Sequence, residues 1–402
     1  MRAVVLRILL INDNHTISGG TEQYFFDLKK RLKNIPNLEI HSLGFGEKES
    51  HGEDFTILKK PTSDFAKLIW QIFFNPWMYF KIKNQIKKIN PDIIHLHNIR
   101  QYTASILAAV KDYPTVQTIH DYGAVCPIAY NIHKDLQPCE TGMRASCFWQ
   151  HQLKYNPLTY LALSLSFFFT RLRTKKTVKT FFVPSPLQVE YLKKNGYQPA
   201  IYIAPFKNSP QSPTFDKIDP NHFLFAGNLG AHKGINILLT EFALAHQKNP
   251  NITLTIAGKG HAENQMRKRI HELQLDDQIN FAGWQKNLDE EYEKSAAIIF
   301  PSLWMEAFGL VITEAMHHAR PVIGSNRGSP PWIIDDRETG FIFDPLNNGD
   351  LAAKILLLAG NIELITHLGR NAQEKLGTFI DNEKTLQQII DIYQKVGGIN
   401  NH

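Results

Sequence analysis

The C-terminal half of the sequence alternates short apolar segments with helical patterns, and this alternation restricts the fold more than any other feature. Each segment has the length of a strand, and most are apolar at successive positions, although Ile252–Ile256 and Ile279–Phe281 contain polar residues. Strands buried on both faces belong to parallel sheets covered by helices, and ligands of such sheets bind beyond the carboxyl ends of the strands. The predicted strands are Phe223–Ala226, Ile252–Ile256, Ile279–Phe281, Ala297–Phe300, Pro321–Ile323 and Gly340–Phe343.

The N-terminal half repeats this pattern less regularly. A chain of 402 residues is long enough for two cores, and the Pro- and Ser-rich segment Pro205–Pro213 separates the two halves. The predicted fold class is therefore α/β, with one parallel-sheet domain at residues 1–204 and a second at 205–375. The strands predicted for the first domain are Arg7–Ile11, Leu38–Ser42, Asp92–Leu96, Thr115–Ile119 and Phe181–Val183.

Charge and composition narrow the choice of partner and compartment. A formal net charge of +6 and a pI near 9.0 favour an anionic partner. No run of five or more Lys or Arg residues and no nucleic-acid-binding signature occurs, so nucleic acid is not predicted. The first apolar strand lacks the cleavage site of a signal peptide, no apolar stretch reaches about 18 residues, and three cysteines do not suggest a secreted disulfide scaffold. We expect a cytoplasmic protein.

The segment Pro301–Met316 places two glutamates, Glu306 and Glu314, across the start of a helix predicted over Phe308–Ala319. A turn that opens a helix presents free backbone N–H groups and the positive end of the helix dipole, which together bind anions. Glu314 would lie about 9 Å along the axis from the helix start. With a diphosphate bound there, Glu314 could accept hydrogen bonds from a ribose diol. The alternative is a surface helix with two solvated carboxylates.

This two-glutamate element resembles the donor-site signature of the family 4 retaining glycosyltransferases, and three further segments follow the family's pattern in order. They are Gly19–Gln23 before the first helix, Ile119–Asp121 at a strand end, and the glycine-rich Gly227–Gly234, which is similar to the family's phosphate loop. The resemblance covers most of the chain. It implies a GT-B architecture, with two Rossmann-like domains facing a central cleft and a C-terminal helix, within 376–402, that crosses back to the first domain.

The resemblance also implies which residues act. Lys233 would neutralise the diphosphate and stabilise the charge that develops as the sugar leaves. Glu306 would lie near the donor sugar, and His120 would contact its hydroxyls or the reacting centre. These three are the predicted catalytic residues, against the alternatives of a solvated turn lysine and a structural histidine. The predicted donor-binding residues are Gly19, Gly20, Asn228, Lys233, Phe308, Gly309, Leu310 and Glu314.

The implied reaction is transfer of a hexosyl unit from a UDP- or GDP-sugar to a glycan or lipid-linked acceptor, in surface-polysaccharide or glycolipid biosynthesis. The resemblance implies retention of the anomeric configuration, and because no second carboxylate is identifiable as a nucleophile, we expect front-face substitution. No Asp-x-Asp pair occurs, so no divalent metal is expected, and no other cofactor is predicted. Asn228 replaces the family's usual arginine and Trp332 a frequent glutamate, which leaves open a non-catalytic sugar-nucleotide-binding subunit. A sugar-nucleotide epimerase of similar fold is the other alternative.

The three cysteines of the chain lie close together in sequence. Cys126, Cys139, Cys147 and His151 fall within 26 residues and could hold a structural zinc ion. Their spacings are not those of a known zinc finger. Free thiols in an acceptor-side loop are the alternative interpretation.

Two segments predict peripheral contact with an anionic membrane. Phe65–Lys88 is rich in aromatic residues and lysine, and Leu158–Lys179 joins an apolar run to a basic end. Basic and aromatic side chains together are typical of interfacial helices. The alternative is that both segments are buried domain helices with basic ends. The cations of the second segment are Arg171, Arg173, Lys175, Lys176 and Lys179.

Overall fold

The structure is a computed structural model, and it describes residues 5–17, 19–46, 50–51, 55–59, 73–100, 102–127, 133, 137–139, 142–144, 147, 157–206 and 214–398. The chain divides into two compact units. Unit 1 comprises Met1–Lys134, Glu140–Phe206 and Asn382–His402. Unit 2 comprises Asp135–Cys139 and Lys207–Asp381.

Each unit is built on one β-sheet. The strands of unit 1 are β1 (Leu6–Ile11), β2 (Leu38–Gly46), β3 (Ser50–His51), β4 (Phe55–Lys59), β5 (Ile93–Leu96), β6 (Thr115–Thr118), β7 (Thr180–Val183) and β8 (Ala200–Tyr202). The strands of unit 2 are β9 (Asp219–Ala226), β10 (Thr253–Ala257), β11 (Ile279–Gly283), β12 (Ser295–Phe300), β13 (Val322–Ser325) and β14 (Gly340–Phe343).

Both sheets are parallel, as the apolar strands predict. The order in unit 1 is β3-β4-β2-β1-β5-β6-β7-β8, and only the short β3 runs antiparallel to its neighbour. The order in unit 2 is β11-β10-β9-β12-β13-β14, and all of its pairs are parallel. The predicted fold class, two parallel-sheet α/β domains, is confirmed.

Helices connect the strands. They are α1 (Gly20–Lys33), α2 (Pro76–Ile89), α3 (Thr103–Val110), α4 (Pro157–Thr177), α5 (Pro186–Lys194), α6 (Ile235–Lys248), α7 (Glu263–Glu272), α8 (Asp289–Lys294), α9 (Leu310–His317), α10 (Pro330–Ile333), α11 (Asp350–Leu358), α12 (Ile362–Phe379) and α13 (Asn382–Gly397). Within the described residues, single 3₁₀ turns lie at Tyr122–Ala124 and Ala231–Lys233.

Local sequence signals set where these elements begin and end. Asn75 caps α2, because its side chain accepts a hydrogen bond from the Met78 amide at 3.0 Å. Helix α9 is shorter than the predicted Phe308–Ala319 because residues at both ends adopt positive φ. Gly309 precedes its first residue at φ 90°, and Ala319 lies beyond its end at φ 52°.

The last helix, α13, belongs to unit 1. Its Tyr393 hydroxyl lies 2.6 Å from Nδ1 of His95, a residue of β5. No single helix in the described part of the chain is long and apolar enough to cross a membrane. The helical segments Asp350–Leu358 and Ile362–Gly397 meet the length and composition criteria only when they are counted together. The chain bends by 103° between them.

Candidate functional site

The loops at the carboxyl ends of the strands in unit 2 pass so close to one another that two positions require glycine. A Cβ on Gly234 would lie 1.7 Å from the carbonyl oxygen of Pro301, at φ 73°. A Cβ on Gly258 would lie 1.8 Å from the carbonyl oxygen of Gly227, at φ 151°. Main-chain oxygens cannot move aside as a flexible side chain can, so these glycines hold the loops in contact. Lys233 is thereby placed at the edge of the sheet where parallel-sheet ligands bind.

Lys233 and Glu306 form a largely buried ion pair at this edge. Nζ of Lys233 lies 2.9 Å from Oε2 of Glu306, and the two side chains are 19% and 9% exposed. The indole N–H of Trp304 donates to the same oxygen at 2.6 Å, and the Ser302 hydroxyl donates to it at 3.2 Å. Within the described residues no donor reaches Oε1. One carboxylate oxygen is thus fixed by the protein, and the other can accept a hydrogen bond from a ligand.

The segment after β13 fixes the backbone of Glu306. Its N–H donates to the Arg327 carbonyl at 3.4 Å, and its carbonyl accepts from the Ser329 amide at 3.0 Å. Between these two contacts, Gly328 adopts φ 80°, and a Cβ there would lie 2.3 Å from the Glu306 nitrogen. This segment therefore needs a glycine to approach the glutamate so closely.

Helix α9 begins beside this ion pair without a side-chain cap. Gly309 occupies the N-cap position and offers no oxygen for the first amides. The hydroxyl of Ser329 donates to the Phe308 carbonyl at 2.6 Å and so fixes the turn from outside. Amides at an uncapped helix start, together with the dipole, favour an anionic ligand. The predicted anion-binding residues Phe308, Gly309 and Leu310 form this turn.

Glu314 lies in α9 and is held by a buried tyrosine. The Tyr292 hydroxyl donates to Oε2 of Glu314 at 2.8 Å, and the Tyr292 ring stacks on His318 with centroids 5.1 Å apart. Burial raises the pKa of Glu314, Asp289 adds to this rise, and the Tyr292 hydrogen bond opposes it. Within the described residues, only Oε2 is hydrogen-bonded. Like Glu306, Glu314 therefore has one fixed oxygen and one that can accept from a ligand.

The two departures from the family pattern have different surroundings. Asn228 is exposed in the loop after β9, and its carbonyl accepts from the Gly230 amide at 3.0 Å. Trp332 is half-buried, with its ring 6.2 Å from that of Phe308 and 5.5 Å from that of Phe379. The tryptophan thus supplies an apolar contact behind the α9 turn, where a glutamate would supply a charge.

In unit 1, His120 belongs to a cluster of stacked histidines. Its Nε2 lies 3.3 Å from Nδ1 of His97, and the two rings stack with centroids 5.5 Å apart. The His95 ring lies 4.1 Å from the His97 ring and is tilted by 31°, and its two nitrogens contact the Tyr393 hydroxyl at 2.6 Å and the Thr118 hydroxyl at 2.7 Å. The other nitrogen of His97, Nε2, is buried without a hydrogen-bond partner among the described residues.

The histidine cluster is uncharged near neutral pH. Burial lowers the pKa of His120 to about 4, and Asp121 opposes this effect. Burial also places the pKa values of His95 and His97 well below the ordinary range. Asp121 accepts from the Gly123 amide at 2.6 Å and pairs with Arg100. Its contacts are those of a residue that orients the loop.

Gly19 and Gly20 differ from the glycines of unit 2. Gly19 has φ −176°, extended backbone that any residue can adopt, and a Cβ there would lie 3.6 Å from the Glu22 carboxylate, an ordinary contact. Gly20 is the first residue of α1. Backbone geometry therefore does not demand glycine at position 19, and donor contact at this pair stays a prediction.

The described cysteines form no metal cluster. Cys126, Cys139 and Cys147 are buried and form no disulfide with one another, and His151 lies outside the described residues. In the described part of the chain, no group of three or more His, Cys, Asp or Glu side chains could hold a metal. Cys147 accepts a hydrogen bond from the Arg144 amide at 3.1 Å, a contact typical of a turn. The four-ligand zinc site stays a prediction.

Three residues of these clusters were not predicted from the sequence. Trp304 lies inside the two-glutamate element, two positions before Glu306, and an indole N–H so near a carboxylate could have indicated the contact. His97 alternates with His95 along a short apolar strand, which places both on one face. Tyr292 gave no local signal, because its partner is 22 residues away in sequence.

Two family descriptions match the sequence in succession. "Glycosyltransferase Family 4" matches residues 18–205, and "Glycosyl transferases group 1" matches residues 208–375. The chain belongs to the family 4 glycosyltransferases. The two matches meet close to the division between unit 1 and unit 2 at Phe206 and Lys207, and the second contains the whole of the Lys233, Glu306 and Glu314 site.

Several curated proteins are similar to this glycosyltransferase over part of their length. An uncharacterised glycosyltransferase of Haemophilus influenzae is 29% identical over 150 residues, 37% of this chain and 42% of that protein. The O-antigen chain mannosyltransferase C of Escherichia coli is 24% identical over 182 residues, 44% of this chain and 47% of that protein. The chain thus spans less than half the length of these relatives.

Solved structures share the fold over almost the whole chain. Sucrose-phosphate synthase from Thermosynechococcus elongatus has a TM-score of 0.74 and 18% identity, covering 98% of this chain and 100% of that one. Anabaena HepE, solved in complex with UDP and glucose, has a TM-score of 0.70 and 17% identity, covering 97% of this chain and 100% of that one. At these identities the likeness concerns the fold, and it confirms the GT-B architecture.

Proposed function

We propose that the protein is a retaining hexosyltransferase that uses a nucleotide-diphosphate sugar, with UDP or GDP as the nucleotide, and a glycan or lipid-linked acceptor. The observation that carries the proposal is the arrangement at α9. An uncapped helix start lies between Lys233, which is paired with Glu306, and Glu314, whose Oε2 is fixed by Tyr292. The diphosphate fits the helix start, the ribose diol fits Glu314 on one side of it, and the sugar fits the Glu306 carboxylate on the other.

The leaving diphosphate would be stabilised by this chain's own groups. Lys233 and the amides at the start of α9 supply positive charge where negative charge develops as the sugar departs. Lys233 is already paired with Glu306, so an incoming diphosphate would share the ammonium group with that carboxylate. We propose that these groups act without a divalent metal. Activity that EDTA abolishes and Mg²⁺ or Mn²⁺ restores would contradict this.

The family resemblance supports retention, and we propose front-face substitution as its mechanism because both carboxylates of this site already have other partners. Oε2 of Glu306 accepts from Lys233, Trp304 and Ser302, and Glu314 is better suited to the ribose. Front-face substitution needs no enzyme nucleophile. The test uses slow donor hydrolysis, in which water replaces the acceptor. Proton NMR of the anomer first released from a UDP-α-hexose should give the α form, whereas the β form would indicate inversion.

The donor itself is best found by thermal shift across nucleotide sugars. A donor present at 100 times its dissociation constant stabilises the protein by about 2.7 kcal/mol. Consumption of that donor only when an acceptor pool is added supports transfer. Binding without turnover would instead favour a non-catalytic sugar-nucleotide-binding subunit, which the charge missing at Asn228 and Trp332 makes the main alternative. Consumption without acceptor that yields an epimerised sugar would favour an epimerase.

Relatives' names suggest the setting of the reaction. Besides the O-antigen mannosyltransferase, a poly(ribitol-phosphate) α-N-acetylglucosaminyltransferase of Staphylococcus aureus is 25% identical over 162 residues, 40% of this chain and 33% of that protein. We propose a role in surface-polysaccharide or glycolipid biosynthesis on the cytoplasmic side of the membrane. Loss of one surface glycan on deletion of the gene, with restoration by the wild-type sequence, would support this role.

A further inference from the structure

Two helices of unit 1 carry cations but no carboxylates. Neither α2 nor α4 contains an Asp or a Glu. Both helices pack against α3, whose residues are mostly buried, so they flank the same element of the unit. The cations of the two helices are Lys81, Lys83, Lys87, Lys88, Arg171, Arg173, Lys175 and Lys176.

Both helices also expose large apolar side chains. On α4, five exposed residues recur at intervals of three, four or seven and so share one face, which we call the α4 stripe. Its members, each 49–56% exposed, are Leu161, Leu165, Phe168, Phe169 and Leu172. They extend about 16 Å along the helix axis. A second group at the start of α2, the α2 patch, consists of Phe73, Phe74, Trp77 and Phe80, which are 41–61% exposed.

The structure separates the cations of α4 into two sets. Arg171 and Lys175 are used inside the unit, because both donate to the carbonyl oxygen of Asn195, at 2.7 Å and 2.6 Å. Arg173 and Lys176 are exposed and follow the C-terminal end of the stripe, and Lys179 is exposed just beyond the helix. The sequence-based expectation that all these cations face a membrane is therefore too broad.

We propose that unit 1 docks on an anionic phospholipid surface through the α4 stripe and the α2 patch, with Arg173, Lys176 and Lys179 contacting the headgroups. Apolar side chains beside cations match the boundary between acyl chains and anionic headgroups. Charge argues against a second copy of the chain as the occupant. A symmetric dimer would place the same cationic face on both partners and oppose like charges. The proposal goes beyond sugar transfer and can be tested without donor or acceptor.

Flotation with vesicles tests the docking directly. Full-length protein should float with vesicles of equal parts phosphatidylcholine and phosphatidylglycerol at low salt, and should bind phosphatidylcholine vesicles much more weakly. The Debye length at 0.15 M salt is about 8 Å, and charges farther apart than this are largely screened. Binding should therefore also weaken as salt rises. Protein that stays unbound with the anionic vesicles at low salt overturns the proposal. Equal binding to both vesicle types overturns the assignment of the cations.

Matched variants locate the surface. A cation near an anionic membrane contributes about fivefold to binding, so R173Q/K176Q/K179Q should lower the partition coefficient on the order of 100-fold. The control K248Q/K268Q/K286Q removes the same charge from exposed positions of unit 2 and should change it less than about threefold. Equal losses from both variants would reduce the effect to net charge and overturn the proposed surface.

The apolar contribution has its own pair of variants. L165S/F168S/L172S should lower binding to anionic vesicles at least tenfold, whereas L244S/W284S/L357S, which changes exposed apolar residues of unit 2, should leave it unchanged. Sedimentation velocity tests whether a second copy of the chain, rather than a membrane, covers the stripe. A wild-type dimer that the L165S/F168S/L172S variant dissociates, together with absent flotation, would make the stripe an interface between copies and overturn the proposal.

Discussion

The α9 site of unit 2 and the histidine cluster of unit 1 are built in opposite ways. In unit 2, Lys233 and Glu306 carry opposite charges, and neighbouring loops meet at glycines where any side chain would clash with backbone. In unit 1, the histidine rings stack in a buried cluster, and burial lowers their pKa values so that they are neutral near pH 7. The charged site is suited to a diphosphate, and the neutral cluster to the hydroxyls of a sugar.

Because of this difference, we expect the two units to respond differently to substitution. Removing a charge in unit 2 should weaken both donor binding and catalysis, because the same cation acts on the bound and the leaving diphosphate. Removing a neutral ring in unit 1 should affect catalysis with little change in nucleotide affinity.

The largest effect is expected at the cation of unit 2. Lys233→Ala should lower kcat on the order of 100- to 1,000-fold, because it removes a fixed positive charge from the leaving group. Steady-state kinetics with the donor found by thermal shift would measure it. Lys259→Ala is the control, since this exposed lysine lies on the adjacent glycine loop. Equal losses in the two variants would contradict a specific role for Lys233.

The glycines should differ in stability. Gly234→Ala should destabilise the protein on the order of 3 kcal/mol, because it combines a positive φ with a clash against the Pro301 carbonyl. Gly19→Ala should cost less than about 1 kcal/mol, the scale of a helix-cap change. Urea unfolding midpoints of the two variants would give the comparison. A midpoint for Gly234→Ala as high as that of Gly19→Ala would show that the loop contact is loose.

The histidine prediction concerns unit 1. His120→Ala should lower kcat on the order of 100-fold, with nucleotide affinity unchanged within about twofold. His51→Ala, an exposed histidine of the same unit, serves as the control. If His120→Ala weakened nucleotide binding as much as Lys233→Ala does, the division of tasks between the two clusters would be wrong.

The smallest effect is a pH dependence. Ionised Glu314 accepts hydrogen bonds from a diol, and its pKa is raised by burial and by Asp289. As the pH is lowered, nucleotide affinity should therefore begin to fall at a higher pH than it would with a carboxyl of ordinary pKa. The decrease should be less than tenfold per pH unit. The folded state itself gains stability over the same window, because protonation relieves the buried charge. In calorimetric titrations, the Glu314→Gln variant should not show this decrease in nucleotide affinity on acidification. If the variant retains the decrease, the titrating group belongs to the nucleotide.

Much of the fold could be predicted because the sheet is encoded locally. Strands such as β9 and β12 contain runs of four or five apolar residues, Phe223–Ala226 and Ala296–Phe300, and this pattern identifies a parallel sheet without knowledge of distant contacts. The short edge strands β3 and β8 lack enough residues for such a pattern.

The site was less predictable. Glu306, Glu314 and Lys233 follow a spacing that the family shares, so the sequence points to them. The Tyr292 contact to Glu314 and the contact of His97 with His120 join residues from separate elements. The boundaries of α9 depend on positive φ angles, and Ala319 gives no sign of this in the sequence.

A nucleotide diphosphate is proposed to bind at the start of α9, with its ribose on Glu314. Isothermal titration of UDP and of GDP into the wild-type protein, Glu314→Ala and Glu290→Ala measures this binding. We expect one nucleotide to bind the wild type and the exposed-residue control Glu290→Ala equally well. Glu314→Ala should lose about 1–3 kcal/mol of binding free energy, because the diol hydroxyls lose their acceptor. Unchanged affinity in Glu314→Ala, or binding of neither nucleotide to the wild type, would contradict the claim.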